Sequence, residues 1–60
     1  MITYTGDGNA FSILAYCQRL IKEDGGDATA YFAEATAGDY NDLLDVSGRW
    51  TGVDFEAYYE

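Results

Sequence analysis

Sixty residues, 48% of them hydrophobic, with a formal net charge of −8 exclude a multidomain chain, a cofactor-sized cleft and a disordered acidic tail. Eleven acidic residues against three basic ones exclude direct binding to DNA, RNA or an anionic membrane, each of which needs a basic footprint. One cysteine and no histidine exclude an intrachain disulfide and a zinc site.

The stretch Met1 to Thr5 is β-branched and aromatic, with Ile2, Thr3, Tyr4 and Thr5 in succession, and predicts a short strand. Gly6-Asp7-Gly8 breaks it, and Asn9 stands where a helix N-cap belongs. From Ala10 to about Glu23 the apolar residues Ile13, Leu14, Cys17, Leu20 and Ile21 recur at helical spacing, with Phe11 and Tyr16 widening the face. Gly25-Gly26 ends this helix, and Asp27 caps the next, whose inward face is Ala28, Tyr31, Phe32 and Ala35. Gly38 is placed just beyond its end. Asp39 caps a third, short helix with Asp42 at N3, its inward face Tyr40, Leu43 and Leu44, ending at Gly48. From Trp50 the period changes to two: Val53, Phe55, Ala57 and Tyr59 alternate with Asp54, Glu56, Tyr58 and Glu60, which predicts a strand with one buried face. A lone strand pair is marginal, so Ile2–Thr5 is expected to pair with this segment under cover of the helices. The fold class predicted is α+β, a single domain over residues 1–60. It has a small antiparallel sheet of two or three strands packed with three short helices, in the order β-α-α-α-β.

No chemistry-bearing constellation emerges. Ser12 and Ser47 have no base to activate them, and Cys17 falls on the apolar face of the first helix, where it packs as a small hydrophobe. The run from Asp39 to Asp45 is rich in oxygen ligands, but Leu43 and Leu44 stand where a calcium-binding loop needs a ligand and a glycine. Gly6-Asp7-Gly8 lacks the lysine of a phosphate loop. The reading is therefore of a non-enzyme with no catalytic residue, no cofactor and no metal. No apolar run reaches membrane-spanning length and no signal peptide is apparent, so a cytoplasmic location is expected.

Two runs carry a resemblance. Gly8-Asn9-Ala10-Phe11 opens one helix, and Ala33-Glu34-Ala35-Thr36-Ala37-Gly38-Asp39-Tyr40, with Leu43 and Leu44 and then Arg49-Trp50, opens another. Over roughly residues 8–50 the chain resembles small acidic phage and prophage proteins of unassigned activity, which pair a GNAF helix start with an SGDY helix start. Ala37 stands where that family often has serine, and the residues after Trp50 fall outside the likeness. The resemblance implies a phage origin, hence a bacterial host cytoplasm, and carries no catalytic residue with it.

The remaining signal is charge distribution. Residues 1–30 hold four acids and two bases, net −2, whereas residues 31–60 hold seven acids and one base, net −6. Asp39, Asp42 and Asp45 at i, i+3, i+6 form a stripe on a helix, with neighbouring Cβ atoms about 5–6 Å apart. Asp54, Glu56 and Glu60 share a strand face with Tyr58, and carboxylates two apart on a strand are roughly 6.6 Å apart. An acidic surface serves solubility in many small proteins. In rows, carboxylates also imitate a polynucleotide, and exposed aromatics such as Tyr58 and Tyr59 supply an anchor. The functional expectation is a phage-encoded inhibitor of a host nucleic-acid-binding defence complex, similar as a class to small acidic anti-CRISPR or anti-restriction proteins. It would act as a monomeric DNA mimic on the complex's basic surface. The alternative is a small phage structural or accessory interaction protein that works as an oligomer. Reversing Asp39, Asp42 and Asp45 to lysine is expected to abolish binding and leave the fold intact.

Overall fold

A computed structural model describes residues 2–60, so that Met1, the first residue of the predicted opening strand, lies outside it. Three helices pack pairwise against one another: α1 (Ala10–Glu23), α2 (Ala28–Ala35) and α3 (Tyr40–Thr51), followed by a 3₁₀ turn at Glu56–Tyr58.

Each helix starts on the residue its sequence supplies. Asn9 accepts from the Phe11 N–H at 2.8 Å, and Asp27 accepts from the Ala30 N–H at 3.0 Å. Asp39 accepts from the Asp42 N–H at 2.9 Å while the Asp42 carboxylate accepts from the Asp39 N–H at 3.2 Å, a reciprocal box built from two aspartates. α1 ends in a Schellman turn: the Gly26 N–H reaches Ile21 O at 2.8 Å and the Gly25 N–H reaches Lys22 O at 3.0 Å, with Gly25 at φ 82°.

The core is the seam where the helices meet. Ile13, Leu14, Cys17 and Ile21 of α1 close on Ala28, Tyr31 and Ala35 of α2 and on Leu43, Leu44 and Val46 of α3, with Tyr4, Val53 and Phe55 packed beneath. Tyr31 and Ser47 are fully buried and joined by a 2.6 Å hydroxyl–hydroxyl hydrogen bond. That bond satisfies both polar groups at the centre of an apolar junction. Two aromatic residues assigned inward positions point out instead: Phe11 is 78% exposed and Phe32 40%.

The predicted antiparallel sheet is absent, and the described residues contain no strand. Residues 2–4 and 54 do meet, through Tyr4 N–H to Asp54 O at 3.0 Å and Asp54 N–H to Ile2 O at 2.7 Å. The pairing is a single parallel bridge between Thr3 and Asp54, the direction reached when three helices intervene as a crossover. Two local causes replace the last strand. First, α3 does not stop at Gly48. Leu43, Leu44, Val46 and Ser47 keep their face buried, and the helix runs through Trp50 to a left-handed stop at Gly52, φ 75°. Second, alternation lasts only from Val53 to Phe55. There the Asp54 carboxylate captures the Glu56 N–H at 2.8 Å and the backbone turns into the 3₁₀ segment. Ala57 and Tyr59 are exposed accordingly.

Three phenols then fasten the loop ahead of α1. Tyr58 donates to Gly6 O at 2.9 Å, Tyr4 donates to Asp7 O at 2.8 Å, and Tyr40 donates to Gly8 O. Three consecutive carbonyls are thus held from three separate parts of the chain.

Candidate acidic binding surface

Residues 53–60 run back along α3 toward its start. Val53 O lies beside Gly48, Tyr59 shares a groove with Leu44, Asp45 and Gly48, and Glu60 meets Asn41. This course decides which carboxylates come together. Asp45, Asp54 and Glu56, together with Arg49 and the half-exposed Tyr59, line one open groove between α3 and the returning segment. The Tyr59 phenol is pushed above its ordinary range by partial burial first, then by the charges of Asp45, Glu56 and Asp54. Members of both predicted acidic rows therefore act on the same ring.

The rows themselves are rearranged. Asp54, Glu56, Glu60 and Tyr58 do not share a strand face, because the segment is a bridge residue followed by a 3₁₀ turn. Asp54 is half-buried at the bridge, and Glu56 is exposed. Glu60 lies further along, close enough to Tyr40 that its charge, after burial, raises that phenol. Tyr58 is not an exposed anchor: it is half-buried, 5.4 Å from the Tyr4 ring and packed on Gly8. The exposed aromatic of this segment is Tyr59.

On α3, Asp39 and Asp42 are occupied in the capping box, while Asp45 pairs with Arg49 Nε at 3.3 Å. Arg49 also reaches Glu34 at 3.2 Å, and Glu34 in turn accepts from the Trp50 indole N–H at 3.1 Å. These pairs are exposed and worth about 0–1 kcal/mol each, so Arg49 tempers the acidic groove without closing it. Arg49's place among the carboxylates went unread because α3 was expected to end at Gly48. Asn41, which binds the backbone of Glu60, gave no signal in the sequence.

The cap assignment alters the expected charge-reversal experiment. Lysines at 39 and 42 remove both halves of the box. The lost cap costs about 0.5–2 kcal/mol, and each positive charge at the helix start costs about 0.3–1 kcal/mol more at low salt. D39K/D42K is expected to lower the urea midpoint, whereas D45K alone should hold it close to that of the parent.

Among the described residues, no group of three or more metal-ligating side chains gathers, and no helix is long and apolar enough to cross a membrane. The Cys17 thiol is fully buried, and burial raises its pKa. A second groove, mostly apolar, is bounded by Ile2, Leu20, Ile21, Trp50 and Val53, with Asp24 and Thr51 also on its wall. Comparison with protein-family models, curated proteins and solved structures returned no match.

Proposed function

We propose that this chain is an acidic interaction module that occupies the basic nucleic-acid-binding surface of a partner protein and so inhibits it. It acts as a monomer and without catalysis. One observation carries the reading: Asp45, Asp54 and Glu56, drawn from two segments of the chain, converge on one groove around a half-exposed tyrosine. Carboxylates so grouped steer a basic partner into encounter, and the ring offers it a flat anchor or a cation–π contact. The resemblance to small phage and prophage proteins supports a host defence complex of the kind that anti-CRISPR and anti-restriction proteins block. The site of action would then be the bacterial cytoplasm.

A second reading has one observation in its favour. Ile2, 63% exposed, stands at the edge of the apolar groove beside Trp50, a surface that an oligomeric accessory protein would cover.

The test is capture from a bacterial lysate at low ionic strength, followed by salt elution and sedimentation of the bait. The first reading predicts a monomeric bait and a captured protein that elutes by about 0.5 M salt, as screened charge pairs require. Added chain should then block that protein's binding to duplex DNA or RNA. Partners that survive molar salt, or that bind nucleic acid undisturbed, contradict it. A concentration-dependent oligomer supports the second reading.

A further inference from the structure

Residues 56–60 carry Glu56 and Tyr59 of the acidic groove, yet the 3₁₀ turn has no side-chain cap of its own and none of its residues is buried. At its start the Asp54 carboxylate holds the Glu56 N–H, and the Tyr58 ring rests on Tyr4; beyond these, two long-range hydrogen-bonded attachments hold the segment. The Asn41 amide takes both backbone groups of Glu60, donating from Nδ2 to Glu60 O at 3.0 Å and accepting the Glu60 N–H on Oδ1 at 2.9 Å. The Tyr58 hydroxyl donates to Gly6 O at 2.9 Å, across 52 positions of sequence. The flanking residues 59 and 60 are exposed, so their own burial adds little to hold them.

We infer that Asn41 and Tyr58 are positioning residues for the acidic surface: Asn41 fastens residue 60 to α3 and Tyr58 fastens residue 58 to the loop ahead of α1, and between them they set Glu56 and Tyr59 beside Asp45. The inference rests on the partner reading above and adds to it a geometric requirement. A fixed net charge does not suffice, because the carboxylates must be held in one arrangement to engage a basic partner without a further ordering cost. Neither residue is acidic, and neither lines the groove. A primary amide that pairs with both backbone groups of one residue restricts that residue much as a strand neighbour does. Freed from it, residues 56–60 would spread their charge over many conformers.

The experiment uses Asn41→Ala, Tyr58→Phe and the double variant, all of which leave the net charge at −8. Amide hydrogen exchange is read at residues 58–60 and at core positions of α1, and affinity for a hexa-arginine peptide is read by calorimetry at low salt. The double variant is expected to speed exchange at Glu60 by about tenfold, the sign of local opening, while exchange at Ile13 and Leu14 is unchanged. Affinity should fall by about fivefold or more, at constant charge, as preorganisation is lost. The Tyr59 ring, followed by NMR, should titrate closer to the ordinary tyrosine value as it moves away from Asp45 and Asp54, which stay on α3 and at the bridge. Faster exchange with undiminished affinity overturns the positioning role, as does exchange that does not change. If the double variant loses protection throughout, Asn41→Ala alone, which leaves every phenol in place, decides by the same two readings. Parent protein that fails to bind the peptide at all overturns the partner reading, and the positioning role with it.

Discussion

Tyr31→Ala is expected to leave most of the chain unfolded at 25 °C. Tyr31 is fully buried at the junction of all three helices and stacks edge-on to Trp50 with ring centroids 5.9 Å apart. Removing a buried aromatic ring costs about 3–5 kcal/mol. The substitution also strips Ser47 of its 2.6 Å partner in a site without exposure. An unpaired buried hydroxyl costs about 1–3 kcal/mol more. A chain of this length has a total stability of about 3–9 kcal/mol at the usual figure per residue. The loss therefore consumes most or all of it. Tyr31→Phe isolates the second part, since it keeps the ring and drops the hydroxyl, and should cost about 1–3 kcal/mol. Urea titration followed by far-UV circular dichroism measures both. A cooperative Y31A transition within about 1 kcal/mol of the parent, well below the cavity cost of a buried ring, would show that Tyr31 is not the centre of the core.

Progressive loss of stability from about pH 10 upward is the second large effect expected. Tyr4 and Tyr40 donate their hydroxyl protons to the carbonyls of Asp7 and Gly8, and a phenolate has no proton to donate. Burial, ahead of neighbouring negative charge, raises Tyr4 and Tyr40 above the ordinary tyrosine value, and burial also raises Tyr31. The sign follows from linkage. A tyrosine raised in the folded state is neutral there while its unfolded counterpart ionises, so the unfolded chain binds fewer protons. The contribution is fully present below the unfolded value, about 10, and drains away as pH climbs from there toward the folded value. Urea midpoints are expected to fall steeply from about pH 10 upward, where tyrosines ionise. Y4F/Y40F should start from a lower midpoint at neutral pH and show a shallower alkaline decline. A midpoint constant from neutral pH to pH 12 would contradict the role of the phenols.

The helices were legible because their determinants are local. Asn9, Asp27 and Asp39 announce three starts, Gly25-Gly26 announces a stop, and the Ile13-Cys17-Ile21 spacing announces a buried stripe. The sheet was misread because glycine is ambiguous on paper. Gly48 continues a helix whose neighbours Val46 and Ser47 are buried by tertiary packing, while Gly52, four residues later, takes the left-handed stop. The alternation at Val53–Phe55 was real, but a single Asx contact from Asp54 to the Glu56 N–H cancels its continuation. For the acidic surface, the surplus of carboxylates after residue 30 was visible in the sequence. Which of them meet was not, since that depends on residues 53–60 doubling back along α3. That path is fixed by pairs such as Asn41 with Glu60, 19 positions apart and without any local signature.

The most direct test of the acidic surface compares two variants of equal charge. D45N/D54N/E56Q neutralises the carboxylates around Tyr59, and D7N/E23Q/D24N neutralises three elsewhere, so both carry a net charge of −5 in place of −8. Amide replacements keep the carbonyl acceptors that Glu56 N–H and Asn9 N–H use at positions 54 and 7. Calorimetric titration with hexa-arginine at low salt should show about a tenfold or greater loss for the first variant and little change for the second, as a localised contact demands. Equal losses in the two, or none in the first, would mean that this groove is not where a basic partner binds.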